Sequence, residues 1–134
     1  MKHKIRKDIK HKFKAYSSLE KSGKSAIIKD RLFNEEEFKR ARVVMFYVSL
    51  QDEVDTLAMI DEALKAGKRI AVPVILKEEK RLIAGEIHNR LEDLESQHFG
   101  IYQPRQDRVK EIPLEIIDLV VVPGVAFDRK NIRL

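Results

Sequence analysis

A run of six apolar residues, Val43-Val44-Met45-Phe46-Tyr47-Val48, constrains this chain more than any other feature. Arg42 to Val48 is β-branched and aromatic, with no polar alternation, and therefore reads as a strand buried on both faces. It passes through a polar stretch into Leu57, Ile60 and Leu64, which recur at helical spacing with Met59 and Ala63 beside them. Gly67 stands where that helix must stop, at a position that favours positive φ. Arg69 to Ile75 then reads as a second strand, with Pro73 marking a strand end or a local irregularity. Strand, helix and strand within roughly thirty residues make a βαβ unit, for which a right-handed crossover is expected.

The flanking segments extend this α/β pattern. Ile5, Ile9, Phe13 and Tyr16 predict an amphipathic helix over residues 3–16, with its lysines outside. Ser17 and Glu20 form a capping-box pattern that opens a second helix, expected to bury Ala26-Ile27-Ile28 and Leu32-Phe33. Asn34, with Glu37 three residues on, is expected to start a short helix that turns Phe38 inward. After Pro73 come a polar turn at Lys77–Lys80, a short strand around Leu82-Ile83-Ala84 and Ile87, and a helical turn at Leu91–Ser96. Ile116 to Val122 reads as a further buried strand, closed by Pro123-Gly124.

Between the first strand and its helix lies Ser49-Leu50-Gln51-Asp52-Glu53-Val54-Asp55. In α/β proteins ligands bind outside the carboxyl ends of strands, so this loop is a candidate site. Its carboxylates allow two readings. Asp52 and Asp55 can cap the next helix while Glu53 stays in solvent, or Glu53 can face a ligand.

A chain of 134 residues predicts one domain, residues 1–134, with no cysteine for disulfide or thiolate chemistry. No run approaches a membrane span, and the charged start lacks the apolar core of a signal peptide, which predicts a cytoplasmic protein. The net charge of +5 is concentrated at the start, where six lysines and Arg6 face only Asp8 within residues 1–14. Such a basic helix can be a solvated face or can bind an anion. Nucleic acid is not the expected partner, because no helix-turn-helix, RNA-binding signature or interleaved aromatics accompany it. His3, His11, His88 and His98 lack metal-ligand spacing, and no serine sits in a nucleophile elbow.

The run Tyr47 to Thr56, with Pro73, Phe99-Gly100-Ile101-Tyr102-Gln103-Pro104 and Pro123-Gly124-Val125-Ala126-Phe127-Asp128, resembles the 5-formyltetrahydrofolate cyclo-ligase (methenyltetrahydrofolate synthetase) family, in the family's order. Lys2-His3-Lys4-Ile5-Arg6 is similar to that family's opening pattern. The resemblance implies an α/β three-layer sandwich with a mostly parallel sheet, resembling the NagB/RpiA/CoA-transferase-like fold and lacking its C-terminal part. It implies ATP- and Mg2+-dependent closure of 5-formyltetrahydrofolate to 5,10-methenyltetrahydrofolate, with release of ADP and phosphate. The implied route is phosphorylation of the formyl oxygen, attack by N10 and loss of phosphate. By the same resemblance Lys2, Arg6 and Arg133 contact ATP, Val48 and Glu53 contact the folate, and Tyr47 stacks on the pterin. No catalytic residue and no metal ligand is assigned by it. A monomer acting on small molecules is expected. In the family the counterpart of Arg133 opens a glycine-rich nucleotide loop, whereas Asn131 and Ile132 depart from the pattern and Leu134 ends the chain. A folate-binding homologue without turnover is therefore the alternative.

Overall fold

The computed structural model describes residues 1–96 and 102–134. Helix α1 (Lys2–Ala15) leads to α2 (Ser18–Phe33) and the short α3 (Glu36–Arg40). Strand β1 (Val43–Met45) connects through α4 (Leu57–Lys65) to β2 (Arg69–Leu76), and β3 (Arg81–Ile87) returns beside it. The chain continues through α5 (Arg90–Asp93), β4 (Leu94–Ser96), β5 (Tyr102–Pro104) and β6 (Lys110–Ile112) to β7 (Leu119–Val120).

The main sheet has the order β6-β3-β2-β1-β7. The pairs β1–β2 and β1–β7 are parallel, and β3 is antiparallel to both β2 and β6. Four strands therefore run one way and β3 alone runs against them, so the sheet is mostly parallel in direction. The strands β4 and β5 form a separate two-stranded ribbon. Phe99, Gly100, Ile101 and His98 lie outside the described residues; the last three residues of the expected aromatic loop are β5.

Strand β1 is shorter than the run Arg42–Val48, and Pro73 explains where it stops. The carbonyl of Ala71 accepts the Phe46 N–H at 2.9 Å, so alternate residues of β2 turn their backbone toward β1. Pro73 is next in that series and has no N–H to offer. The chain leaves the ladder after Phe46 and enters the Tyr47–Thr56 loop. Ile116–Val122 also yields less strand than expected: Leu114–Ile116 is a 3-10 turn and only Leu119–Val120 is strand. Its far edge has no strand partner among the described residues.

The core lies on one face of the sheet. Phe38 of α3 and Met59, Ile60 and Ala63 of α4 pack with Val44, Phe46, Ile70, Val72 and Ile87. The opposite face carries a smaller cluster of Val43, Ala71, Ala84 and Ile112, to which none of the five helices contributes. On that face the cross-strand pair Ile75 and Leu82 is 56% and 60% exposed, and Val120 is 52% exposed. Among the described residues the helices therefore lie on one face, while the other carries a smaller buried cluster with an exposed apolar margin at Ile75, Leu82 and Val120. The same face holds Glu86, almost fully buried and gripped by Arg69 through two bonds of 2.8 and 3.0 Å. Those bonds hold the Glu86 carboxyl below its ordinary range.

Helix caps follow local chemistry where it is unambiguous. Ser17 and Glu20 make the reciprocal capping box. Gly67 has φ 86, as a stop after α4 requires. Asn34 departs from expectation: it is the C-cap of α2, donating its side-chain amide to the Asp30 carbonyl at 2.8 Å. The α3 N-cap is Glu35, with no side-chain bond. Ala26, Ile27 and Ile28 are exposed rather than buried. The inward stripe of α2 instead runs through Lys21, Ser25, Lys29 and Leu32-Phe33, since short apolar runs on a helix span more than one face. Lys68 covers the end of α3, donating to the carbonyls of Phe38 at 2.7 Å and Ala41 at 2.6 Å.

Candidate functional site

From the carboxyl end of β1 the chain turns one way, through α4 to β2. On the other side of β1 lies its parallel neighbour β7, reached from β6. The segments that follow β1 and β7 both leave from the carboxyl ends of these adjacent parallel strands, where α/β folds place their ligand crevices. A cleft of about 650 Å³ occupies that position. One wall is Leu50 to Val54 from the loop after β1, and Gly124 and Val125 follow β7. The facing wall is α1, through Ile9, Lys10, Phe13 and Lys14. A Cβ on Gly124 would strike the exposed Phe127 ring, so a larger residue here would have to turn that ring aside.

The Tyr47–Thr56 loop is held by side chains bonding to backbone. Thr56, fully buried, donates its hydroxyl to the Tyr47 carbonyl at 2.6 Å and accepts the Ser49 N–H at 3.0 Å. Ser49 returns the contact, its hydroxyl accepting the Thr56 N–H at 3.0 Å. The Tyr47 hydroxyl donates to the Val54 carbonyl at 3.1 Å, closing the loop across its width. From α2, the Ser25 hydroxyl accepts the Asp55 N–H at 3.0 Å. A segment whose polar backbone groups are satisfied this way behaves as a preformed unit.

The three carboxylates of the loop divide by role. Asp55 accepts the Leu57 N–H at 2.9 Å and so caps the start of α4. Asp52 lies 3.4 Å from Lys21, whose ammonium also sits 5.1 Å from the centre of the Phe13 ring. Glu53 lines the cleft, half-buried, with Oε1 accepting the Leu50 N–H at 2.8 Å. Its second oxygen accepts no bond among the described residues. That arrangement leaves a positioned carboxylate with capacity for a ligand's donors.

Burial, followed by the charges of Glu53 and Asp55, pushes the Tyr47 hydroxyl up from 10.0 to about 12. Between those values the unfolded chain has released this proton while the folded chain retains it. Stability from this group is complete below pH 10 and is lost as pH rises toward 12. Urea midpoints measured across that window should fall for the protein, and should fall less steeply for Tyr47→Phe.

The other expected site residues are spread around this cleft. Val48 packs against the core, and Tyr47 braces the loop; neither is part of the cleft wall. Arg6 lies in a groove along α1 with His3, Lys7 and His11, and Lys10 and Lys14 line both groove and cleft. Lys2 and Arg133 are exposed and line neither. Arg133 pairs with Phe127 across a tight hairpin, in which Asp128 accepts the N–H groups of Lys130 and Ile132 at 2.8 and 2.9 Å. Asp128 is thus a turn cap.

A family model for the 5-formyltetrahydrofolate cyclo-ligase family matches residues 1–134. The chain belongs to this family. It is 25% identical to the mouse 5-formyltetrahydrofolate cyclo-ligase over 134 residues, covering 97% of this chain and 66% of that protein. With the 5-formyltetrahydrofolate cyclo-ligase of Escherichia coli K12 it shares 30% identity over 98 residues, covering 70% of this chain and 52% of that protein. Among solved structures, the Aquifex aeolicus 5,10-methenyltetrahydrofolate synthetase superposes with a TM-score of 0.79 at 29% identity, over 95% of this chain and 62% of that one. The Mycoplasma pneumoniae 5,10-methenyltetrahydrofolate synthetase, at 21% identity and a TM-score of 0.70, shares the fold. The chain spans about half to two thirds of the length of these curated relatives.

Reading this cyclo-ligase homologue from its sequence overlooked Lys10, Phe13 and Lys14 as cleft residues. The signal was present: Lys2, Arg6, Lys10 and Lys14 recur every four residues along α1. Helical neighbours at that spacing form one stripe, and its later members are the ones that reach the loop.

Proposed function

We propose that this cleft binds 5-formyltetrahydrofolate, and that the protein belongs to a reaction closing it to 5,10-methenyltetrahydrofolate with ATP and Mg2+, releasing ADP and phosphate. The observation that carries this reading is Glu53, whose carboxylate is aimed by the Leu50 N–H at the edge of a cleft beyond β1 and β7. A pterin's amino-pyrimidine edge presents parallel N–H donors, for which a carboxylate with free lone pairs is the matching acceptor. Tyr47 and Val48 support that loop from beneath, Tyr47 through its bond to Val54.

The phosphates of ATP fit the cationic stripe of α1, where Lys2 and Arg6 are the proposed contacts, with Arg133 from the C-terminal hairpin. When bound, ATP would make the formyl oxygen a leaving group. This chain's own residues would hold the folate, orient its ring through Glu53 and set cationic charge nearby. Among the described residues no group of three or more His, Asp or Glu gathers as metal ligands. No described helix is long and apolar enough to cross a membrane.

Mixing the protein with 5-formyltetrahydrofolate, ATP and magnesium, and following the ultraviolet absorbance of the methenyl product, tests the reading. ATP-dependent product formation is expected. Folate binding without product would support the non-catalytic alternative, and a folded protein that binds no folate would refute both.

A further inference from the structure

The proposed folate site leaves one end of its ligand without a partner. 5-Formyltetrahydrofolate has a pterin, an aromatic benzoyl middle and a glutamate carrying two carboxylates. Opposite Glu53, the cleft wall is α1, whose cations are uncompensated: none of the lysines or Arg6 of α1 forms an ion pair among the described residues. Elsewhere lysines do find partners, as Lys21 does with Asp52 and Lys29 with Glu62.

Resting on that reading, we infer that Lys10 and Lys14 bind the two glutamate carboxylates, with Phe13 and Ile9 against the benzoyl ring between them and Glu53. These are the α1 cations that line the cleft itself, whereas Arg6 and Lys7 line only the groove outside it. They stand one helical turn apart, about 6 Å along the axis, a spacing that flexible lysine stems can adapt to two carboxylates on one residue. Ile9 and Phe13 are half-buried on the same wall and present apolar surface between the charges. A cleft of about 650 Å³ is within the range that encloses a ligand of this size. The cleft thus brings together an acceptor, apolar surface and two cations, the three chemistries that the ligand carries.

The experiment compares dissociation constants for 5-formyltetrahydrofolate and for 5-formyltetrahydropteroate, which lacks the glutamate. The unaltered protein should bind the first about tenfold more tightly, and Lys10→Gln with Lys14→Gln should remove that preference while leaving pteroate binding unchanged. Lys4→Gln with Lys12→Gln removes the same charge from α1 residues that line neither cleft nor groove, and should change neither constant. Because α1 has no buried residue, none of these variants threatens the fold. Equal loss for both ligands, no loss for either, or a loss that appears in ATP affinity instead would overturn the assignment while leaving the folate site standing. A folded, unaltered protein that binds neither pterin would overturn the folate reading and this inference together.

Discussion

Replacing Thr56 by valine should unfold the loop before it unfolds anything else, and should lower stability by about 2–3 kcal/mol. Valine fills the same volume, so no cavity forms; what is lost is one hydroxyl serving two backbone groups. The Tyr47 carbonyl, now bonded at 2.6 Å, and the Ser49 N–H, bonded at 3.0 Å, would both be left without that partner in a fully buried position. For a domain of this length such a loss lowers the thermal midpoint by roughly 8 °C. Thr56→Ser keeps the hydroxyl and removes only a methyl, so it should stay within about 1 kcal/mol of the unaltered protein. Thermal unfolding of the pair checks this directly. If valine and serine destabilise equally, the hydroxyl is not what holds the loop.

The second large effect concerns Glu53. Its oxygen already bonded to Leu50 can be replaced by the amide oxygen of glutamine, which preserves the turn. The other position would become an N–H₂ group facing the N–H donors of a pterin, donor against donor. Glu53→Gln should therefore weaken 5-formyltetrahydrofolate binding by about 2 kcal/mol, roughly thirtyfold, with the thermal midpoint nearly unchanged. Calorimetric titration of the variant measures it. Unchanged affinity would remove Glu53 from the site.

These two residues also divide what can be read locally from what cannot. The capping box of Ser17 and Glu20, the stop at Gly67 and the apolar side of α4 depend on neighbours within a few positions, although the expected stripe of Leu57, Ile60 and Leu64 is buried only at Ile60 and the flanking Met59 and Ala63 lie deepest. Periodicity and cap chemistry operate at that range, so each was legible. The candidate loop was legible for the same reason, being bounded by a strand pattern and a helix pattern. Asp55 as a cap followed from its place before α4, but Glu53 and Asp52 are the same kind of residue in the same loop. Both line the cleft, and what separates them is Lys21, 31 positions before Asp52, which pairs with Asp52 and has no such contact with Glu53.

Range in sequence is likewise why other features were misread. Ile116–Val122 has the composition of one continuous strand, yet only Leu119–Val120 pairs with β1, because how far a ladder runs is set by a partner strand far away in the chain. Ile27 and Ile28 look like core, but the inward face of α2 is chosen by what it packs against, and Ser25 faces in to meet Asp55. Lys10 and Lys14 stand on a different row of α1 from Lys4 and Lys12, but nothing local says which row meets another segment. The docking of α1 beside the loops after β1 and β7 decides that, bringing one pair of cations to a cleft wall and leaving the other outside it. Family membership, element types and the loop that carries Glu53 thus follow from patterns a few residues long. The opposing wall of the cleft and the division of labour among identical side chains depend on contacts between distant segments, which local propensity does not encode.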